Sequence, residues 1–168
     1  MSETKSMPTF TKPPRLFILA GVPGCGKSTW ARLFFDFDPG VIVSTDAIRE
    51  EFFPGELYDA ARNEKVFDHF HYRIGSRLHR PGLAVADATS LRWQSRLKLV
   101  DIADAHDAES HLIFFDNPVQ AVARNAQRKG NAYVPLEAQD VMLAKYRESR
   151  SAILEENYTS TTIIKETI

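Results

Sequence analysis

The 168-residue chain is predicted to form one α/β domain built on a doubly wound parallel sheet of about five strands, with helices on both faces. Short apolar runs bounded by glycine or proline alternate with segments in which apolar residues recur at helical spacing, and this alternation is typical of a parallel sheet. The length suits one hydrophobic core. Because ligands bind such sheets at the carboxyl ends of the strands, polar residues that follow a strand are the candidates for function.

The predicted strands are short and mostly apolar, as expected where a sheet is covered on both faces. The first has the sequence RLFILA. The five strands are expected at 15–20, 41–44, 83–86, 111–115 and 161–164.

The predicted helices lie between these strands. Phe67, Phe70, Ile74 and Leu78 recur at helical spacing, and Asn117-Pro118 is a pair that often opens a helix. The helices are expected at 27–35, 59–79, around 93–100, from 118 to near 130, and from 135 to about 150.

Composition excludes several classes of protein. The one cysteine, Cys25, rules out an internal disulfide and a cysteine-rich zinc site. No apolar run approaches the roughly 20 residues needed to cross a membrane. Residues 1–14 are expected to be a disordered tail and not a secretory signal, which leaves 15–168 as a single domain. We therefore expect a cytoplasmic location and no membrane partner.

Charge is unevenly distributed, although the formal net charge is only −1. Residues 36–68 contain nine acidic and three basic side chains, 73–98 contain one acidic and six basic, and 121–150 contain three acidic and six basic. Solvated helix faces would explain these stretches. The functional interpretation is that the two basic stretches converge on one anionic substrate, since any nucleic-acid binding must come from a local patch.

The strongest motif is GVPGCGKST at 21–29, which follows the first strand and opens the first helix. It fits the pattern G-x-x-x-x-G-K-S/T, in which glycines let successive backbone N–H groups point at one anion and the helix N-terminus favours negative charge. The lysine, Lys27, reaches the β- and γ-phosphates, and the Ser28 hydroxyl ligates Mg²⁺. We therefore predict that ATP, or another nucleoside triphosphate, binds here with Mg²⁺. The predicted nucleotide-binding residues of the loop are Gly21, Pro23, Gly24, Cys25, Gly26, Lys27, Ser28 and Thr29.

Two carboxylates follow predicted strands. Asp46 stands just beyond the second strand, which we expect to neighbour the first, and it can accept the proton of an attacking hydroxyl. Arg49 lies one helical turn later and can hold an anionic group. Asp87 ends the third strand, where it can hold the magnesium hydration shell. For both Asp46 and Asp87 the alternative interpretation is a helix N-cap.

A basic segment, RNAQRKG at 124–130, ends the helix after the fourth strand. Arg and Lys in a last turn are favoured by the helix dipole, which is one interpretation. The other is a mobile lid whose arginines neutralise charge on the triphosphate, and this makes Arg124 and Arg128 candidates for nucleotide contact.

Together these motifs resemble the 5′-hydroxyl polynucleotide kinase domain of the bacteriophage end-healing enzyme. The resemblance covers about 16–150 and includes the loop with its helix, the Asp46-x-x-Arg49 unit, Asp87, and RNAQRKG with the YVPL that begins at Tyr133. It implies a P-loop kinase-type fold with a helical lid at about 124–135.

The resemblance also implies an activity, the transfer of the ATP γ-phosphate to 5′-hydroxyl ends of RNA or DNA in end healing or repair. The implied catalytic residues are Lys27, Asp46 as general base, and Arg128 as the lid arginine on the γ-phosphate. Arg49 is expected to contact the 3′-phosphate of the acceptor nucleotide, and Val134 to lie beside its base. The partner is single-stranded or end-exposed nucleic acid, and the assembly is expected to be a monomer or dimer.

This chain departs from the family pattern after Asp87. The family has Thr-Asn there, whereas Ala88, Thr89 and Ser90 follow here, so Thr89 is expected to supply the acceptor contact from one residue later. No phosphatase activity is expected, because the DFD at 36–38 lacks the Thr or Val two residues on. The alternatives are a P-loop kinase of a small molecule or toxin-type substrate, and a non-catalytic nucleotide-binding module, which would need no base at Asp46.

Overall fold

The structure, a computed structural model, describes residues 12–56, 59–79, 81–129 and 133–165. Within them one sheet has five strands in the order β2-β3-β1-β4-β5, and every pairing is parallel. The strands are β1 (Arg15–Ala20), β2 (Ile42–Ser44), β3 (Leu83–Asp87), β4 (Glu109–Phe115) and β5 (Ser160–Ile164). The predicted parallel α/β sheet is therefore confirmed.

Helices connect these strands within the described residues. They are α1 (Lys27–Phe35), α2 (Thr45–Phe52), α3 (Asn63–Arg77), α4 (Trp93–Asp104), α5 (Pro118–Asn125) and α6 (Leu136–Ala152). A short 3₁₀ turn, Ala60–Arg62, precedes α3, so the helix expected over 59–79 is shorter than predicted. None of the described helices combines the length and apolar character that a membrane span requires.

Both faces of the sheet are covered at its central strands, whereas the edge strand β5 is largely exposed. Successive strand residues point to opposite faces, yet Ile18, Leu19 and Ala20 of β1 are all fully buried, as are Ala84, Val85 and Ala86 of β3. Such continuous burial explains why the central strands read as unbroken apolar runs.

The strand order corrects one expectation. We predicted that β2 neighbours β1, and this is wrong, because β3 lies between them. Ile18 of β1 is in register with Ala86 of β3, and Ser44 of β2 is in register with Asp87. Local sequence patterns do not encode which strands pair, so this order is a property of the assembled sheet. Asp87 therefore stands next to the first strand, and Asp46 one strand further out.

The helix after β4 also ends earlier than predicted, at Asn125 and not near Gly130, and Gly130 lies outside the described residues. The Asn125 side chain is 1% exposed and donates to the backbone carbonyl of Val134 at 2.8 Å. This contact ties the end of α5 to the segment that follows it. The tail expected over 1–14 lies outside the described residues except for 12–14, so that expectation stays a prediction.

The end of β4 is tied to α6 through Asp116. Its carboxylate accepts hydrogen bonds from Arg150 (Nε at 2.8 Å, Nη2 at 3.0 Å) and from the Tyr146 hydroxyl. The Arg150 hydrogen bonds are the main cause that lowers the pKa of Asp116, burial opposes it, and Tyr146 adds to the lowering. Burial, followed by the hydrogen bond to Asp116 and the negative charge of that carboxylate, raises the pKa of Tyr146 to about 12, while Arg150 opposes the shift.

The lowered pKa of Asp116 predicts a pH-dependent stability. A carboxylate whose pKa is lower in the folded state stabilises the fold above its unfolded pKa, and that contribution is lost as the pH falls through the folded-state value. We expect Asp116→Asn to lower the free energy of unfolding at pH 7, and the difference from the wild type to shrink as the pH falls below about 4. Urea unfolding between pH 3 and 7 measures this, with Asp140→Asn, an exposed acid on α6, as the control. A difference that does not change with pH would contradict the assignment.

Candidate active site

A cavity of about 540 Å³ opens at the carboxyl ends of β1, β2 and β3. It lies where parallel sheets bind ligands. Most of the residues predicted for function line it: Pro23, Gly24, Gly26, Lys27, Ser28, Thr29, Asp46, Arg49, Asp87, Thr89, Arg124, Arg128 and Val134. Gly21 and Cys25 are not among its lining residues, and Cys25 is fully buried.

The loop at 21–29 is wrapped around its own lysine. The ammonium of Lys27 donates to the carbonyl oxygens of Gly21 (2.9 Å) and Val22 (3.0 Å) and lies 3.4 Å from the Cys25 Sγ. Gly26 has φ 102°, a left-handed conformation at the start of α1 that favours glycine. The lysine is thus 8% exposed and held at the floor of the cavity.

The loop is also fixed to its surroundings. Asn117, which precedes α5, donates from its side chain to the Cys25 carbonyl at 3.1 Å, and the Gly21 N–H donates to the Thr89 carbonyl at 2.9 Å. A Cβ on Gly24 would lie 2.4 Å from the carbonyl oxygen of Ala121 in α5. The loop therefore shares one rigid frame with α5 and with the segment after β3.

Ser28 and Asp87 form an oxygen-rich pair beside Lys27. Asp87 is 5% exposed, and the Ser28 hydroxyl donates to its carboxylate. Burial raises the pKa of Asp87, while the positive charge of Lys27 and the Ser28 hydrogen bond oppose that shift. A hydroxyl and a carboxylate facing a phosphate cradle are the donors that Mg²⁺ takes together with phosphate oxygens. These residues therefore fit a magnesium ion.

Asp87 does not serve as a helix cap. The next helix, α4, starts six residues later with Arg92 at its N-cap. The alternative interpretation of Asp87 is therefore wrong.

The carboxylate of Asp46 lies between two arginines. Arg49 Nη1 donates to Asp46 Oδ1 at 2.9 Å, and Arg128 Nη2 lies 3.6 Å from Asp46 Oδ2. Ser44, not Asp46, is the N-cap of α2, so the capping interpretation of Asp46 is also wrong. Arg49 is 6% exposed, and its Nη2 donates to Asn63 at 3.1 Å. The Asp46 carboxylate is thus oriented by α2 and also contacted by the segment after α5.

That segment, 126–129 and 133–135 in its described parts, is fastened at its two ends. Asn125 donates to the Val134 carbonyl at 2.8 Å and accepts from the Val134 N–H at 3.2 Å. Arg124 lies in the last turn of α5, and Arg128 lies beyond it. A segment held at both ends that carries Arg128 over a cavity has the form expected of a lid, which stays a prediction.

Several residues that line the cavity are not among those predicted from the sequence. Arg32 lies one turn after Ser28 on α1, so helical spacing from the loop could have identified it. Asn63 and Phe67, one turn apart at the start of α3, and Met142 of α6 come from helices whose position relative to the loop is tertiary. The additional lining residues are Arg32, Thr45, Asn63, Phe67, Ala88 and Met142.

The cavity combines two chemical capacities. Its floor presents the lysine, the helix N-terminus and a hydroxyl–carboxylate pair, which together suit a polyphosphate with Mg²⁺. Its opposite wall presents a carboxylate beside buried Arg49, a combination that suits proton transfer from a hydroxyl next to an anion.

Comparison with known proteins identifies a matching family and a curated relative. The sequence model of a family described as an AAA domain matches residues 16–150. The chain is 27% identical over 137 residues to the L-seryl-tRNA(Sec) kinase of Methanococcus maripaludis, which covers 78% of this chain and 52% of that protein. This chain therefore spans about half the length of that curated relative.

Solved structures share the fold, which is that of the P-loop kinases. A chain in the structure of the Pnkp1/Rnl/Hen1 RNA repair complex superimposes with a TM-score of 0.71 at 25% identity, over 91% of this chain and 50% of that one. Chaetomium thermophilum Kti12 in complex with ADP-AlF3 has a TM-score of 0.61 at 15% identity, over 78% of this chain and 79% of that one. The second likeness shows the fold alone.

The close approach at Gly24 gives a matched pair of glycine variants. Gly24 has φ +86° and Gly40 has φ +84°, but around Gly40 no atom lies within 4 Å of an added Cβ. We expect Gly40→Ala to cost about 1–2 kcal/mol, for the left-handed conformation alone. Gly24→Ala is expected to cost more and to reduce the thermal stabilisation by ATP and Mg²⁺, because the loop must shift away from α5. Urea unfolding and thermal melts measure both effects, and equal behaviour of the two variants would show that the contact is unimportant.

Proposed function

We propose that this chain, which belongs to the family described as an AAA domain, is an ATP-dependent kinase that phosphorylates 5′-hydroxyl ends of RNA or DNA. One observation carries the proposal. A single cavity holds the phosphate cradle and, across from it, the Asp46–Arg49 pair. A proton acceptor and an anion-binding group are thus placed together on the side where an acceptor must enter.

The donor side is proposed to hold the triphosphate of ATP. Backbone N–H groups of the loop and the N-terminus of α1 face the phosphates, and Lys27 exchanges its carbonyl contacts for phosphate oxygens. Ser28 and Asp87 are the proposed magnesium-holding residues, directly or through its bound waters. When bound, Mg²⁺ neutralises charge on the β- and γ-phosphates.

The acceptor side is proposed to hold the terminal nucleotide. Its 5′-oxygen attacks the γ-phosphorus, the bond from that phosphorus to the β–γ bridging oxygen breaks, and ADP leaves. The proton of the 5′-hydroxyl passes to the Asp46 carboxylate. Arg49 binds the 3′-phosphate of the same nucleotide, Thr89 contacts that phosphate from the neighbouring wall, and Val134 lies beside the base.

Arg128 has a second proposed role, on the lid. It now lies near Asp46, from which a small movement of its long side chain would bring the guanidinium onto the γ-phosphate, with Arg124 beside it. A guanidinium there stabilises the charge of the transferring phosphoryl group.

The names of the relatives support an acceptor made of nucleic acid. One relative is named a tRNA kinase, and one similar chain belongs to a structure named as an RNA repair complex. Both statements concern those proteins, and their extension to this chain is part of the proposal. A cytoplasmic location, and a monomeric or dimeric state, also stay predictions.

The decisive assay uses labelled ATP, Mg²⁺ and 5′-hydroxyl oligonucleotides. We expect label at the 5′ end of single-stranded RNA or DNA, and comparison with recessed and 3′-phosphorylated acceptors to define the preferred end. Removal of Mg²⁺ with a chelator should stop transfer. Label on a sugar or antibiotic, with none on nucleic-acid ends, would favour the small-molecule kinase and overturn the proposal.

The role of Asp46 is tested by Asp46→Ala. Loss of a general base is expected to lower the rate of transfer by roughly 10²–10⁴, while ATP binding, followed by its thermal stabilisation, persists because the cradle is unchanged. Glu50→Ala is the control, since Glu50 is an exposed acid one turn later on the same helix. A near wild-type rate for Asp46→Ala would remove Asp46 from the base position.

A further inference from the structure

The two basic stretches of the sequence meet beside the cavity. Thr89 and Met142 both line it, and the Ser149 hydroxyl of α6 donates to the backbone carbonyl of Leu91, just after Thr89. Met142, Lys145 and Ser149 are spaced by three and four residues, so they share one face of α6. Lys145 therefore lies on the helix face that runs from the cavity to the Leu91 contact.

Two cations flank this hydrogen bond. Lys145 lies one turn before Ser149 on α6, and Arg92 follows Leu91 directly and is exposed. Burial is the first cause that lowers the pKa of Lys145, and the positive charge of Arg92 is the second, while Glu148 opposes the shift. Like charges repel one another, and an anion bound by both would relieve the repulsion.

An exposed aromatic residue follows Arg92 in the chain. Trp93, the first residue of α4, is 53% exposed. Proteins hold single-stranded nucleic acid with aromatic rings and cations on one surface, because bases stack on the rings and phosphates bind the cations.

The backbone that carries Arg92 and Trp93 is held rigidly. The Thr89 carbonyl accepts from Gly21 at 2.9 Å, and the Ser90 carbonyl accepts from Arg96 Nη1 at 2.8 Å. Arg96 is 1% exposed and pairs with Glu156, and Ser90 is held at φ 43°. Groups on such an ordered segment lose little conformational entropy when they bind.

We propose that Arg92, Trp93 and Lys145 form a strand-binding strip for the nucleotides that follow the reacting 5′ end. Trp93 stacks on a base, and Arg92 and Lys145 bind the phosphates that flank it. The strip extends the acceptor site beyond the terminal nucleotide to single-stranded RNA or DNA. The inference rests on the proposed kinase function.

Acceptor length tests the strip in the kinase assay. The wild-type kcat/KM is expected to rise from a nucleoside 3′-phosphate to a 5′-hydroxyl octanucleotide. We define a length ratio as kcat/KM for the octanucleotide divided by kcat/KM for the nucleoside 3′-phosphate. Trp93→Ala is expected to lower this ratio by on the order of tenfold, the effect of losing one stacked base. The double variant Arg92→Ala/Lys145→Ala should also lower the ratio and make it less dependent on salt concentration. Arg147→Ala removes a charge of the same sign from an exposed position two residues after Lys145, and it should leave the ratio unchanged.

A binding measurement tests the strand-binding strip independently of the kinase activity. Fluorescence anisotropy of a labelled octanucleotide, with ATP absent, should show weaker binding by Trp93→Ala and by the double variant than by the wild type or Arg147→Ala. Thermal melts verify that each variant is folded. If no nucleic acid is phosphorylated but this order of binding holds, the proposed function fails and the strip stands as a surface that binds single strands.

Other outcomes overturn the strip itself. Equal octanucleotide binding by all variants, or no binding by the wild type, would do so even if the kinase activity is confirmed. A poly-glutamate peptide that competes as well as an octanucleotide of equal charge would assign the surface to acidic proteins instead.

Discussion

The tight contact between the loop at 21–29 and the start of α5 is the constraint on which the rest of the site depends. Gly24 lies so close to Ala121 that no side chain fits between them, and Asn117 binds the loop through the Cys25 carbonyl. On its other side, the loop is bonded to Thr89 through Gly21. Because α5 leads into the segment that carries Arg128, and Thr89 lines the cavity, these contacts hold three regions of the cavity in one frame.

Within that frame, charges are arranged by depth. Lys27 and Asp87 are buried at the floor of the cavity, where their opposite charges attract each other. The side chain of Asp46 is close to half exposed at the opening. Burial of Asp87 is tolerated because Lys27 and Ser28 offset part of its desolvation. The more exposed carboxylate is left where an incoming hydroxyl can reach it, so depth separates the proposed metal-holding acid from the proposed base.

Local sequence was sufficient to predict those parts of the site in which all the informative residues lie in one short segment. The glycine-rich loop between an apolar strand and a helix predicted its own conformation, since glycine spacing, lysine and helix start lie within nine residues. The position of Asp87 at the end of a strand could also be predicted from local sequence. The positions of Asn63, Phe67 and Met142 at the cavity could not be predicted, because each reaches the cavity only through the packing of its helix. Asn117 was read as a cap by its type and place, yet its side chain binds the loop 92 residues away in the chain.

A parallel α/β domain with a phosphate-binding loop follows from local sequence, because hydrophobic periodicity and glycine spacing act over a few residues. Tertiary packing sets the position of β3 between β1 and β2, which puts Asp46 across Asp87 from the loop. Tertiary packing also joins the basic stretches around Arg92 and Lys145 through the Ser149 hydrogen bond to Leu91. Strand order and helix packing depend on contacts between distant segments, whose free energy no local pattern records.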